Sequence, residues 1–585
     1  MSLASGPLPG PFLLVFLIGL LPACALLLPR LRPAAMAVAP WAALPPLLLA
    51  LSSTPDVELE LPWVLLGTRL GMDATGQVFL FFTALLWWVS GIYARSYLED
   101  DPEIHRFFTC FLLTMTGNLG LILSLDMASF YCFFAVMSFA SYGLIVHHGD
   151  REALRAGRVY MMMVILGEVL LFAALVIAAF DTQHLAFREV TAGLRSSPRQ
   201  DWIIALALAG FGIKAGALPL HSWLPLAHPA APTPASAVLS GAMIKAGLLG
   251  WLRFLPLGEV ALPGWGAFTM AAGVAALFLG AALGVVQQNS KAILAYSSIS
   301  QMGLMTVGLG IGLAAPEHWQ TTLAALQLYA LHHALAKGAL FLGVGAAATT
   351  LTGPWQRRAV AVGLMLPALS LAGAPWTSGA AAKTALKAAA KAVPWPTWLD
   401  WSLALGSIAT TLVMARFALE VWPRGPAAHH RLDGIALTAW SLLLAAVLGV
   451  MWVVPWPSIR GPLREGLSFA AFRTALWPVL IGAALAWRLA RSRRGRLLLG
   501  RLQIPAGDLA ALAERGWSAL RRRPGGGPEE ARSRWLGQKW RAPLERATVR
   551  IEEAATSLEQ SLAGWTVGGS AFLVITGVLV WLLTR

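Results

Sequence analysis

The chain has 585 residues, 57% of them hydrophobic and only 12% charged, with a formal net charge of +15. A soluble chain of this size carries about a quarter charged residues, so a multi-domain soluble protein is excluded. Apolar runs of about 17 residues or more recur from end to end, each long enough for a bilayer core of about 30 Å, so the class is an all-α polytopic membrane protein. In that class the positive charge is assigned to cytoplasmic loops and anionic lipid headgroups, with no nucleic acid.

The first run, Pro11–Leu28, has no basic stretch before it and stops at Arg30 and Arg32. It reads as a first span and not as a cleaved signal peptide. Further spans are expected near 36–52, 77–95, 107–125, 127–147, 159–179, 201–219 and 231–253. The series continues at 264–287, 293–313, 320–349, 360–391, 401–421, 435–456 and 474–490, with a last span at 567–583. Loops after odd-numbered spans carry Arg30, Arg32, Arg95, Arg106, Arg151, Arg155, Arg158, Lys291, Arg357, Arg358, Arg424 and Arg431. The positive-inside rule therefore puts those loops in the cytoplasm and the N-terminus outside, with the loop at 181–200 as the exception.

Residues 491–550 differ, holding 15 Arg or Lys against 5 acids. Apolar residues at helical spacing flank the break "RRRPGGGPEE", which fits a basic amphipathic helix lying along the membrane surface. A solvated tail is the alternative, and the return into a final span argues against it.

Cys24, Cys110 and Cys132 are far apart and form no CxxC pair, so no metal or iron–sulfur site is expected. Neither GxGxxG nor a Walker lysine loop is present, and no cofactor is expected. The 25 Trp residues are assigned to interfacial anchoring.

Charges within spans cost about 2.5 kcal/mol or more each at mid-depth and are functional candidates by default. This chain places Glu168, Lys214, Lys245, Lys337, Lys383 and Lys387 there, with His332 and His333 close by. Desolvation moves a buried amine toward neutrality, which suits a proton carrier. "KAGALPLHSWLP" at 214–225 and "LAGAPWTSGAAAK" at 371–383 put Gly and Pro beside a lysine. Interrupted helices of this kind point to a transport site, because broken backbone at membrane depth needs protein or water to satisfy it. His333 and Lys337 are four apart and share a helix face. A lone His would read as a hydrogen-bonded core residue; beside the lysines it is assigned a relay role. Lys391 extends the Lys383 and Lys387 stripe to the outer interface, and His221 and His332 are further candidates.

In "HPAAPTPASAVLSGAMIKAG" (228–247), "NSKAILAYSSISQMG" (289–303), "HHALAKGALFLGVG" (332–345) and "GAPWTSGAAAK" (373–383), the chain resembles the antiporter-like proton-channel subunits. That family is shared by respiratory complex I, Mrp cation/proton antiporters and membrane-bound group-4 hydrogenases, and the likeness is strongest to the hydrogenase-4 component B or formate hydrogenlyase branch. The resemblance covers roughly residues 60–430. It implies about 14 core transmembrane helices with two inverted five-helix repeats, then a lateral helix and a final span. The implied division is 1–106, a first repeat at 107–253, a second at 254–425, core spans at 426–490, the lateral segment at 491–566 and the terminal helix at 567–585. Lys214 matches the family's lysine of the broken seventh helix, and Lys245 the central lysine of the eighth. His333 and Lys337 match the eleventh-helix pair, and Lys383 the lysine facing the exit.

The chain departs from the pattern on its fifth helix. In "FFAVMSFASYG", Ala135 stands where the family has the glutamate that partners the seventh-helix lysine. Glu168 lies about nine residues into the sixth span, roughly 14 Å deep at 1.5 Å per residue. It is the expected substitute, the alternative being a glutamate that faces another helix or an accessory protein. Asn289 and Tyr329 are smaller departures, from an aspartate and a first histidine.

The expected function is a proton-translocating, antiporter-like subunit of a multi-subunit, redox-driven complex in the cell inner membrane. It carries no redox centre of its own and relies on peripheral redox subunits and neighbouring membrane subunits. The alternatives are a Mrp-type cation/proton antiporter subunit, which would add sodium to the ions moved, a proton-coupled uptake partner for a solute such as inorganic carbon, and a non-conducting scaffold.

Overall fold

The computed structural model describes residues 10–52, 57–349, 354–391, 393–394, 396–422, 433–450, 456–492 and 504–508. The expected lateral segment and terminal span lie outside the described residues, apart from 491–492 and 504–508. Among the described residues, ten helices are long and apolar enough to cross a membrane. The fold is an all-α polytopic membrane protein.

Helix α1 (Gly10–Leu27) is followed by a span made of α2 (Arg32–Val38) and α3 (Leu44–Ser52) around a 3₁₀ turn. An antiparallel hairpin, β1 (Val57–Leu61) and β2 (Thr68–Met72), pairs Val57 with Met72 and Leu61 with Thr68. Then come α4 (Ala74–Tyr97), α5 (Ile104–Leu123), α6 (Met127–Ile145), α7 (Arg151–Thr182) and the short α8 (Phe187–Leu194). The seventh expected span, 201–219, is α9 (Gln200–Ala215) and the start of a break, beyond which α10 (Trp223–Ala230) continues the interrupted helix. Next, α11 (Thr233–Val238) and α12 (Ile244–Phe254) form one span through a π-helical turn at Leu239–Met243.

After α13 (Pro263–Val286), α14 (Ser290–Ala314) and α15 (Trp319–Ala348), a second split span comprises α16 (Pro354–Ala372) and α17 (Ser378–Ala390). The described residues then form α18 (Pro396–Glu420), α19 (Gly434–Gly449), α20 (Pro457–Gly466) and α21 (Phe469–Arg491). The two breaks stand where Gly and Pro beside a lysine place them. The hairpin is an addition to the expected elements: its alternating "VELEL" and "TRLGM" are too short to stand out between apolar runs. It is anchored by tertiary pairing, with Leu70 bridged to Ser124 and Arg69 N donating to Asp126 Oδ2 at 2.8 Å.

Helix starts follow side-chain caps that satisfy amides left without an intrahelical partner. Asp126 accepts from Ser129 N at 2.8 Å, Asp150 from Ala153 N at 2.7 Å, and Asn289 from Lys291 N and Ala292 N at 2.9 and 3.1 Å. The packing of α13 on α14 depends on small residues. A Cβ on Gly273 would stand 2.6 Å from the Gly303 carbonyl oxygen, and one on Gly303 would stand 2.5 Å from that of Gly273. Without side chains there the two backbones meet, which is how membrane helices gain dispersion contact when lipid gives no hydrophobic drive.

The apolar stretch of α14 and the span α11–α12 are enclosed by protein, whereas α7 and α21 turn most of theirs outward. The centre of the molecule is therefore built from helices that carry Lys245 and face Lys337.

Candidate functional site

Both interrupted spans end their first half on a left-handed glycine, Gly216 with φ 72° and Gly373 with φ 87°. A helix that stops inside a membrane leaves carbonyls without amide partners, and these must find other donors. At the first break Ala217 N donates to Gly212 O at 2.8 Å and the Trp223 indole to Ile213 O at 2.7 Å. At the second, the Lys383 ammonium reaches back to Leu371 O at 3.0 Å and Ala372 O at 2.8 Å. A cation at the carbonyl end of a half-helix is electrostatically favoured. The break thus binds its own lysine.

Lys214, in the last turn of α9, is 3% exposed. Its Nζ donates to the Tyr160 hydroxyl at 3.0 Å and stands 6.0 Å from the Phe134 ring centre. Tyr160 in turn is 2.5 Å from Ser141 Oγ and donates to Ser138 O at 2.9 Å. Glu168 is buried on the same helix with neither carboxylate oxygen hydrogen-bonded. It lies within electrostatic range of Lys214 and near Ser138, without a direct ion pair to the lysine. The expected neighbourhood of Glu168 and Lys214 is present, but the group touching the ammonium is a phenol.

Lys245 donates to Ser240 O at 2.6 Å, inside the π-helical turn. Such a turn widens the backbone and is a common mark of functional sites. Ser240 Oγ is 2.7 Å from Ser298 Oγ on α14, and Ser298 donates to Leu294 O at 3.0 Å. The same carbonyl accepts from Lys337 Nζ at 2.8 Å. Lys245 and Lys337 are therefore linked through two main-chain carbonyls, Ser240 O and Leu294 O, bridged by the Ser240 and Ser298 hydroxyls.

His333, fully buried one turn before Lys337, has neither ring nitrogen hydrogen-bonded to protein. His332 is the histidine tied to the second break, with Nδ1 2.9 Å from Ser378 Oγ and 3.4 Å from Ser370 Oγ. Ser378 begins α17, five residues before Lys383. Lys387 is half-buried on the next turn and Lys391 is exposed. His221, fully buried in the first break, has Nε2 3.2 Å from Asp508 Oδ2. Asp508 is thus a partner that no local motif announced.

Tyr160, Ser240, Ser298 and His228 escape a search for intramembrane charge. His228 is fully buried on α10, stacked on Phe341 with ring centres 4.5 Å apart, and neither of its nitrogens is hydrogen-bonded to protein. It opens the 228–247 motif, and its signal is an imidazole between two prolines of a broken span. Among the described residues no three His, Cys, Asp or Glu side chains gather to hold a metal ion.

The family model for the transmembrane region of "NADH:quinone oxidoreductase/Mrp antiporter" matches residues 124–412. Hydrogenase-4 component B of Escherichia coli (strain K12) is 30% identical over 299 residues, 49% of this chain and 44% of that one. A probable K(+)/H(+) antiporter subunit of Rhizobium meliloti (strain 1021) is 30% identical over 286 residues, 48% of this chain and 28% of that one. The chain thus spans less than half the length of these two curated relatives. The Mrp complex of Dietzia sp. DQ12-45-1b contains a chain that covers 93% of this one and is itself covered over 63%, with a TM-score of 0.72 at 21% identity. A chain of an archaeal membrane-bound sulfane sulfur reductase is matched over 80% of this chain and 98% of its own length, with a TM-score of 0.61 at 19% identity. These structural likenesses bear on the fold. Residues 124–412, which carry both interrupted-span lysines and the linked pair between them, are thus the part of the chain that matches the NADH:quinone oxidoreductase/Mrp antiporter transmembrane family.

Proposed function

We propose that this chain is an antiporter-like subunit that moves protons along the membrane midplane within a larger, redox-driven complex. The supporting observation is the buried series Lys214, Lys245, Lys337 and Lys383, with the middle pair joined through Ser240, Ser298 and Leu294 O. A buried amine can hold or release a proton according to the charge of its neighbour. The Ser240 and Ser298 hydroxyls bridge the two carbonyls that hold these amines, and since a carbonyl only accepts, the amines themselves carry the proton. Glu168 supplies negative charge at the Lys214 end, and His333 and His332 carry the path from Lys337 toward Lys383. His221 and Lys387 flank this line. The driving force comes from peripheral redox subunits reached through neighbouring membrane subunits. The N-terminus is placed outside the cell inner membrane by the distribution of Arg and Lys among its loops.

The test is proton translocation by the intact complex in proteoliposomes. Lys245→Ala is expected to abolish it while assembly and the redox reaction persist. Translocation at the unaltered rate in that variant would overturn the proposal. A second reading, cation/proton antiport, is favoured by the activity named for relatives such as the K(+)/H(+) antiporter of Rhizobium meliloti. It predicts sodium- or potassium-dependent rates in the same assay. A dehydrated cation needs several oxygen ligands, and the described relay is built mostly of amines and imidazoles, with Glu168 as its carboxylate.

A further inference from the structure

The departure at Ala135 leaves a physical question, because an ammonium buried beside apolar helices needs a partner. Ala135 is half-buried on α6, one turn before Ser138. The side chain that meets Lys214 at this level comes from the next helix. We propose that the Tyr160 hydroxyl is the positioning partner of Lys214, holding its nitrogen against α6 and α7 in the place an acid on α6 would occupy. This rests on the reading of Lys214 as a relay group.

The hydrogen-bond inventory of the phenol supports the assignment. A phenol has one proton to donate and two lone pairs to receive. Its one proton goes either to Ser138 O at 2.9 Å or to Ser141 Oγ at 2.5 Å, since Ser141 can itself donate to Ser138 O; in both arrangements a lone pair is left to accept from Lys214 Nζ at 3.0 Å. Tyr160 therefore faces the lysine as an acceptor. An ammonium and a neutral amine both donate N–H, so a neutral acceptor holds the nitrogen in either protonation state. A carboxylate in contact would bind the ammonium far more strongly than the amine and would resist proton release.

The negative charge is set apart from the contact. Glu168 lies eight residues further along α7, a rise of about 12 Å. Its carboxylate is buried without a hydrogen-bond partner and within electrostatic range of Lys214. The two jobs of a single acid are divided: Tyr160 sets where the nitrogen sits, and Glu168 biases its charge. Tyr160 also touches the other side of the break, its ring centre 5.1 Å from that of Trp223. Trp223 is the first residue of α10 and its indole caps Ile213 O beside Lys214. A phenylalanine at position 160 keeps this ring packing and removes only the hydroxyl.

The experiment is Tyr160→Phe in the full chain within its complex, read by cryo-EM and by translocation in proteoliposomes. The expected result is a Lys214 nitrogen displaced from its place between α6 and α7. Translocation should fall about tenfold, as for losing one hydrogen bond to a charged group, with assembly intact and the melting temperature only modestly lowered. Adding Ala135→Glu in the Tyr160→Phe background should return the nitrogen and at least half of the rate, which a packing role could not explain. An unmoved nitrogen in Tyr160→Phe, an unaltered rate, or failure of Ala135→Glu to restore it would each overturn the proposal. If Lys214→Ala itself translocates at the full rate, the relay reading fails instead, and the position of the nitrogen alone then decides the contact.

Discussion

Lys245 and Lys337 each give a hydrogen bond to a main-chain carbonyl, and Ser240 and Ser298 join those carbonyls side chain to side chain. The lysines were legible because an intramembrane charge violates hydropathy and so marks itself. The serines were not, since a Ser within a span ordinarily bonds back to its own helix, and Ser298 does this too through Leu294 O. Their second role exists only because α11–α12 and α14 pack together. Ser298→Ala should slow translocation by about tenfold while changing stability by only about 1 kcal/mol, the net value of one buried hydrogen bond. Ser298→Thr keeps the hydroxyl and should retain most of the rate. Reconstituted translocation and thermal melting of the same preparations check both. His332 and His333 illustrate the limit of the same reasoning: adjacent in sequence, they face different partners, and only His332 reaches Ser378 and Ser370.

The interrupted spans at the level of whole elements were legible from Gly and Pro beside lysine, and their geometry explains the choice of residue. Gly373 has a positive φ, and a Cβ there would stand 3.0 Å from Lys383 Cδ and 3.1 Å from Nζ. Gly373→Ala therefore meets two penalties: about 1–2 kcal/mol for a left-handed alanine, and displacement of the ammonium from Leu371 O and Ala372 O. The expected outcome is a lower melting temperature together with impaired translocation. Gly264→Ala is the control, because a Cβ there meets nothing within 4 Å, and it should leave both unchanged. The sequence hid the hairpin and the π-helical turn, because neither has a composition of its own. The hairpin rests on pairing with the α5–α6 connection, which in turn pairs with the α7–α8 connection, and the turn lies within an otherwise continuous apolar span.

Across the whole molecule, stability should carry a pH signature set outside the spans. His147 and His148 lie in the turn between α6 and α7. Burial holds the His147 imidazole below its ordinary range against the opposing pull of the Asp101 carboxylate, 3.0 Å from its Nε2. His148 is likewise lowered by burial first, then by its charged neighbours His147 and Lys291. With folded values depressed, the unfolded chain takes up protons first as pH falls below about 6.5, so stability is full above that value and declines beneath it. Melting temperatures in detergent between neutral and mildly acidic pH should fall, and His147→Asn should flatten the decline; an unchanged slope would contradict the assignment. By itself the sequence determined the membrane class, the ten spans found among the described residues, the two breaks and the buried lysines, because hydropathy, helix-breaking residues and buried charge are properties of local composition. Which group touches each lysine was decided by the tertiary structure alone: the Tyr160 hydroxyl at Lys214, Ser240 O at Lys245, Leu294 O at Lys337, and the freed carbonyls at Lys383. A hydrogen bond is specified by distance and direction between helices, and no spacing along one chain segment encodes that.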